Sequence, residues 1–94
     1  MTDLVQYMRA RLADEPGWEI VEKDDQVLLV RQGDGWMGQA RFREGRGGLL
    51  ITIDGRPDLV RRYGRLDLRV AVTWTMNVLT YLEETHERDD CADD

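Results

Sequence analysis

The chain has 94 residues, the size of one domain with a single core. Apolar residues make up 41% and charged residues 34%, too hydrophobic for a disordered chain, and no apolar run approaches the roughly 20 residues of a membrane span. A single cysteine excludes an intrachain disulfide, and the opening MTDLVQYMRARLADE lacks the basic-then-apolar pattern of a secretory signal, so a reducing, cytoplasmic setting away from membranes is expected.

The formal net charge of −6 hides a division along the chain. Residues 1–40 carry four basic and eight acidic side chains, and residues 70–94 carry one basic and seven acidic. Residues 41–69 instead carry eight arginines against Glu44, Asp54, Asp58 and Asp67. Twelve of the 13 cations are arginine. A GC-rich coding bias accounts for that without any function, and salt adaptation is a second explanation. The functional alternative is the guanidinium fork, which suits carboxylates and phosphates.

Taken in chain order, Thr2 to Ala13 is predicted to be a helix. Leu4, Val5, Met8 and Leu12 recur at three- and four-residue spacing, and Thr2 or Asp3 can cap the first turn. Asp14-Glu15-Pro16-Gly17 ends it, because the residue before proline avoids helical geometry. Four strands follow: Trp18–Glu22, Val27–Arg31, Trp36–Arg43 and Leu49–Asp54. Asp24-Asp25 and Gly33-Asp34-Gly35 are read as hairpin turns, and Glu44–Gly48 as a loop. Within the third strand, Trp36, Gly38, Ala40 and Phe42 share one face, with Met37, Gln39, Arg41 and Arg43 on the other. Asp54-Gly55-Arg56-Pro57 is expected to end the sheet, with Pro57 starting and Gly64 closing a short helix over Asp58–Tyr63.

Leu66 to Glu84 supports two readings. Leu66, Leu68, Val70, Val72, Trp74, Met76 and Val78 alternate as in a strand. Arg69, Thr73, Asn77, Thr80 and Glu84 form a polar stripe at helical spacing. The segment is long for a strand and ordinary for a helix, and Asp67 can cap it, so helix is the reading taken.

The order α-ββββ-(α)-α belongs to the α+β class. A sheet with one apolar face needs a cover, which makes a two-layer sandwich: a four-stranded antiparallel meander under an N-terminal and a long C-terminal helix. One domain over residues 1–86 and an acidic, unstructured tail over 87–94 complete the expected layout. The element order resembles the helix–meander–helix layout of small bacterial secretion chaperones. That likeness covers topology and no sequence motif, and it implies adaptor- or chaperone-like binding.

Chemistry-bearing residues are few. His86, the one histidine, stands among Glu83, Glu84 and Glu87 with no partner at ligand spacing. Cys91 sits among Asp89, Asp90, Asp93 and Asp94, which disfavour its thiolate. Neither Asp24-Asp25 nor the aspartates of the tail follow the alternation of a calcium loop. The glycine-rich turns join strand to strand, whereas phosphate loops lead into a helix. Neither catalytic residues nor a metal or cofactor site are expected.

Two surfaces carry the functional expectation. Arg41, Arg43, Arg46, Arg61, Arg62, Arg65 and Arg69 form a candidate partner-binding patch, unless they merely pair with the acids of the same molecule. Apolar residues wrap more than half of the last helix, so Leu68, Val72, Met76 and Leu79 are a candidate exposed strip for a homodimer or partner. Trp18, Trp36 and Trp74 are assigned largely to the core. The function expected is non-catalytic protein–protein interaction through the sheet face or the last helix. The alternative is a nucleic-acid-associated or nucleic-acid-mimicking regulator. Overall acidity and the lack of an aromatic among the arginines speak against nucleic acid as the partner.

Overall fold

In the computed structural model the described residues are 2–33 and 35–92, with side chains described as far as 86. Helix α1 spans Thr2–Arg11 and is followed by β1 (Trp18–Lys23), β2 (Gln26–Gly33), β3 (Trp36–Gly45), β4 (Gly48–Ile53) and β5 (Arg56–Tyr63). Helix α2 spans Leu68–Ala92. The strands form one antiparallel sheet in the order β1-β2-β3-β4-β5.

The general α+β class stands, but the sheet has five strands where the sequence suggested four. The expected short helix over Asp58–Tyr63 is the edge strand β5. Asp54-Gly55 is a two-residue hairpin turn, with Gly55 at a φ of 83°. Pro57 misleads because it also suits the first turn of a helix. In the structure it falls where the register shifts: Thr52 pairs with Val60 and Ile53 with Arg56, so Pro57 lies inside a bulge. A proline at a bulge on an edge strand removes no ladder hydrogen bond.

Tight connections set the rest of the register. Asp24-Asp25 joins Lys23 to its partner Gln26, with Asp24 at a φ of 40° that aspartate tolerates better than most residues. Arg46-Gly47 joins Gly45 to Gly48, a shorter turn than the expected loop. Gly48 has a φ of 129°, and a Cβ there would lie 2.2 Å from the Tyr63 carbonyl oxygen. Gly48→Ala is therefore expected to loosen the β4–β5 pairing and cost about 2 kcal/mol, read as a lower urea midpoint.

Both helices lie on one face of the sheet. Leu4, Val5, Met8 and Leu12 from α1 join Val27, Leu29, Ala40, Phe42, Leu49, Ile51 and Ile53 from the strands, with Ala71, Val72, Met76 and Leu79 from α2. The strand residues are those of one alternation phase, including the Ala40 and Phe42 face expected for β3. Trp18, Trp36 and Trp74 are half-buried and pack against this core. Gly38 makes room for Trp36, since a Cβ there would lie 2.2 Å from the indole ring.

The segment after Gly64 is helical. Asp67 occupies the cap position, its carbonyl accepting the amide of Ala71 at 3.0 Å. Ala71, Val72, Thr75, Met76 and Leu79 recur with the helical period and are buried. The Thr75 hydroxyl donates to the Ala71 carbonyl at 2.9 Å, so no buried hydroxyl is left unmatched. This burial overturns the exposed strip: Val72, Met76 and Leu79 face the sheet, and Leu68 is half-buried against the core. Helix α2 lies chiefly over the middle strand β3, with α1 beside it, so its apolar surface is taken up within the molecule. Val70 and Tyr81 remain exposed on α2, separated by polar residues. The helical backbone continues to Ala92, and the expected tail over 87–94 lies outside the residues whose side chains are described.

Candidate interaction surface

Because both helices share one face, no described element crosses the other. Antiparallel register turns that open face into cross-strand rows. One row runs Lys23–Gln26–Arg43–Leu50–Arg62 across all five strands. The next runs Val21–Leu28–Arg41–Thr52–Val60, and a third holds Glu19, Val30 and Gln39, with Asp54 bonded to Gln39 at its end. Neighbouring strands lie ~4.8 Å apart, so Lys23, Arg43 and Arg62 recur at intervals of about 10 Å.

Lys23, Arg43 and Arg62 are exposed, and among the described residues none forms an ion pair. Leu50 is half-buried between the two arginines, and with Asp25 and Glu44 they line a shallow recess of about 230 Å³. Asp25 tempers the positive field at that end without contacting it as a salt bridge. Arg41 differs. Its Nε donates to Asp54 Oδ1 at 3.0 Å and its Nη2 to Oδ2 at 3.4 Å, while Gln39 Nε2 donates to Oδ2 at 2.6 Å. A bidentate pair of this kind cancels the charge of Arg41.

Leu28 and Val30 are buried on the open face although no helix covers them. Their row neighbours are Val21 and Arg41 for Leu28, and Glu19 and Gln39 for Val30. The stems of Arg41, Glu19 and Gln39 shelter these apolar side chains, and Val21 packs beside Leu28. Met37 and Val60 remain exposed, so the face is mixed and its basic row is the sharper feature.

The seven nominated arginines thus do not form one patch. Arg41, Arg43 and Arg62 lie on the open face, and Arg46 sits at the tip of the adjoining β3–β4 hairpin. Arg61 points to the helix side, its guanidinium 5.6 Å from the Trp74 ring centre. Arg65 precedes α2 and Arg69 is in its first turn, both exposed. Lys23, Gln26 and Leu50 were missed, because only the register brings β1 and β4 into line with Arg43. The two-residue spacing of Asp24-Asp25 was the available signal.

Elsewhere, Arg56 holds Asp58 through Nε and Nη2, each at 3.1 Å, and this hydrogen bond, helped by a backbone one, keeps the Asp58 carboxyl below its ordinary pKa. Any stability linked to Asp58 is complete above the ordinary carboxylate value and is lost as pH falls through the depressed one. Full exposure keeps that contribution small. Arg56→Gln is expected to raise the Asp58 pKa toward the usual range in an NMR titration while leaving acid unfolding nearly unchanged. His86 lies within 6.1 Å of the Trp36 ring and bonds the Glu83 carbonyl through Nδ1. The side chains of Cys91 and of the terminal aspartates lie outside those described. No helix among the described residues is long and apolar enough to cross a membrane. Comparison with protein-family models, curated proteins and solved structures finds no match.

Proposed function

We propose that this protein is a non-catalytic protein-interaction module whose open sheet face receives an acidic segment of another protein. One observation carries the reading: the row Lys23–Arg43–Arg62, without ion pairs among the described residues, on a face that no described element covers. Carboxylates of the partner would meet the row, while Val21, Leu50, Val60 and Met37 add apolar contact. A mixed face of this kind favours a salt-sensitive, reversible complex.

Nucleic acid fits less well. Strand aromatics Trp18, Trp36, Phe42 and Tyr63 all belong to the helix-covered core, leaving the open face nothing on which bases could stack. The homodimer expected through α2 loses its surface with the burial of Val72, Met76 and Leu79, and self-association would have to use the open sheet. A cytoplasmic setting belongs to the same reading.

The test uses the full chain, isotope-labelled, and three probes of about 12 units: an acetylated, amidated peptide alternating Glu and Val, its Lys counterpart, and single-stranded oligothymidine. The acidic peptide is expected to shift the amides of Lys23, Arg43, Leu50 and Arg62 and to release as salt rises. Stronger binding of oligothymidine would move the assignment to nucleic acid. A mass doubling with concentration, with shifts on the same row, would make the partner a second copy. Silence of all three probes at low salt would end the proposal. Asp54→Asn, which releases Arg41, is expected to tighten the acidic peptide about threefold in the same titration.

A further inference from the structure

We propose that the groove between the end of α1 and the middle of α2 binds a small carboxylate carrying a planar ring. Its volume is about 450 Å³, and Arg11, Trp18, Arg31, Thr73, Asn77 and Thr80 line it. That volume lies within the range of small-molecule sites. This site is independent of the open sheet face, because it lies in the helix layer.

Two observations meet in the groove. The first is the polar stripe of α2. Two helices packed on one sheet face ordinarily close on each other with apolar side chains. Here α2 presents Thr73, Asn77 and Thr80 to the groove, with Met76 at its wall, and the space stays open. The second is Arg31. It sits in the core phase of β2, after Val27 and Leu29, opposite Trp18 and Gly38. Its guanidinium lies 4.8 Å from the Trp18 ring centre, and Nη2 pairs with Glu83 at 3.3 Å. Nη1 reaches the Pro16 carbonyl only at 3.5 Å, and Nε is buried without a hydrogen-bond partner. A cation in a core position with incomplete hydrogen bonding lowers stability relative to an apolar residue, so packing does not account for it.

The ligand class follows from the charges. Arg11 pairs with Glu15 only at 3.8 Å, and both are more than 40% exposed, so Arg11 turns into the groove at little cost. Arg11 supplies the donors for the carboxylate, with the Asn77 amide and Thr80 hydroxyl beside it, while Arg31, held by Glu83, adds positive charge at the wall. Glu15 and Glu83 flank the site and repel a second negative charge, which selects a monoanion over a phosphate dianion. Trp18 and Met76 accept the ring.

Benzoate, acetate and benzylamine, each titrated into the isotope-labelled full chain, test the site. Benzoate is expected to shift the Trp18 indole and Asn77 side-chain amide saturably, with a Kd of about 1–10 mM. Acetate should bind at least about fivefold more weakly and benzylamine should leave both signals in place. Arg11→Gln and Asn77→Ala should each weaken benzoate about fivefold or more, with circular dichroism unchanged, whereas Arg43→Gln should have no effect. The proposal is overturned by an equal response to benzylamine, by the absence of saturable shifts at Trp18 and Asn77, or by unchanged affinity in both groove variants. Sensitivity to Arg43→Gln would overturn it too, by moving the anion to the sheet.

Discussion

Phe42→Ala is expected to remove about half of the stability of the fold. Phe42 is fully buried at the centre of the middle strand, between Val27 and Ile51 in register and beneath the helix layer. Truncating a buried phenylalanine costs about 3–5 kcal/mol, from lost transfer energy and from the cavity that remains. A domain of this length has a total of roughly 5–14 kcal/mol, on the order of twice that cost. The urea midpoint should fall by about half, with a large drop in Tm. Leu28→Ala supplies the contrast. Leu28 is almost as buried, at 5% exposure, but on the open face, where neighbouring side chains can close over the gap. It should cost about 1–2 kcal/mol, below the usual core value. Equal losses at Phe42 and Leu28 would mean that the second face is covered after all.

Reversing the charge of the basic row is expected to have the largest effect on binding. Arg43→Glu with Arg62→Glu replaces two cations that lie two strands apart on either side of Leu50. An acidic peptide would then meet like charges where it had met opposite ones, and its affinity at low salt should fall by about 10- to 100-fold. Stability should change little, since both arginines are exposed and neither is ion-paired to a described residue. Arg65→Glu with Arg69→Glu is the matched control. It makes the same change in net charge at the helix end of the molecule, so a similar loss of affinity would show that overall charge, and not the row, attracts the peptide.

Much of the local structure was legible in the residues. The three- and four-residue spacing of Leu4, Val5, Met8 and Leu12 marks α1, and the alternation from Trp36 to Arg43 marks both β3 and its buried face. The polar stripe from Arg69 to Glu84 outweighed an equally visible alternation, because a segment as long as Leu66–Glu84 is a helix far more readily than a strand. Asp54-Gly55-Arg56-Pro57 was read as the end of the sheet because of Pro57, whose two meanings differ only in whether an edge and a bulge are at hand. That is a property of the sheet, and no local window contains it.

The candidate surface shows the same boundary more sharply. The sequence determined the basic middle of the chain, the turn residues and which side chains alternate, since these depend on near neighbours alone. Tertiary structure decided which cations meet. Register carried Lys23 from an acidic stretch into line with Arg43 and Arg62, and strand alternation sent Arg61 to the opposite face. It also decided the fate of Val72, Met76 and Leu79, because the burial of a helix depends on where it docks, and α2 lies over the middle of the sheet with α1 beside it.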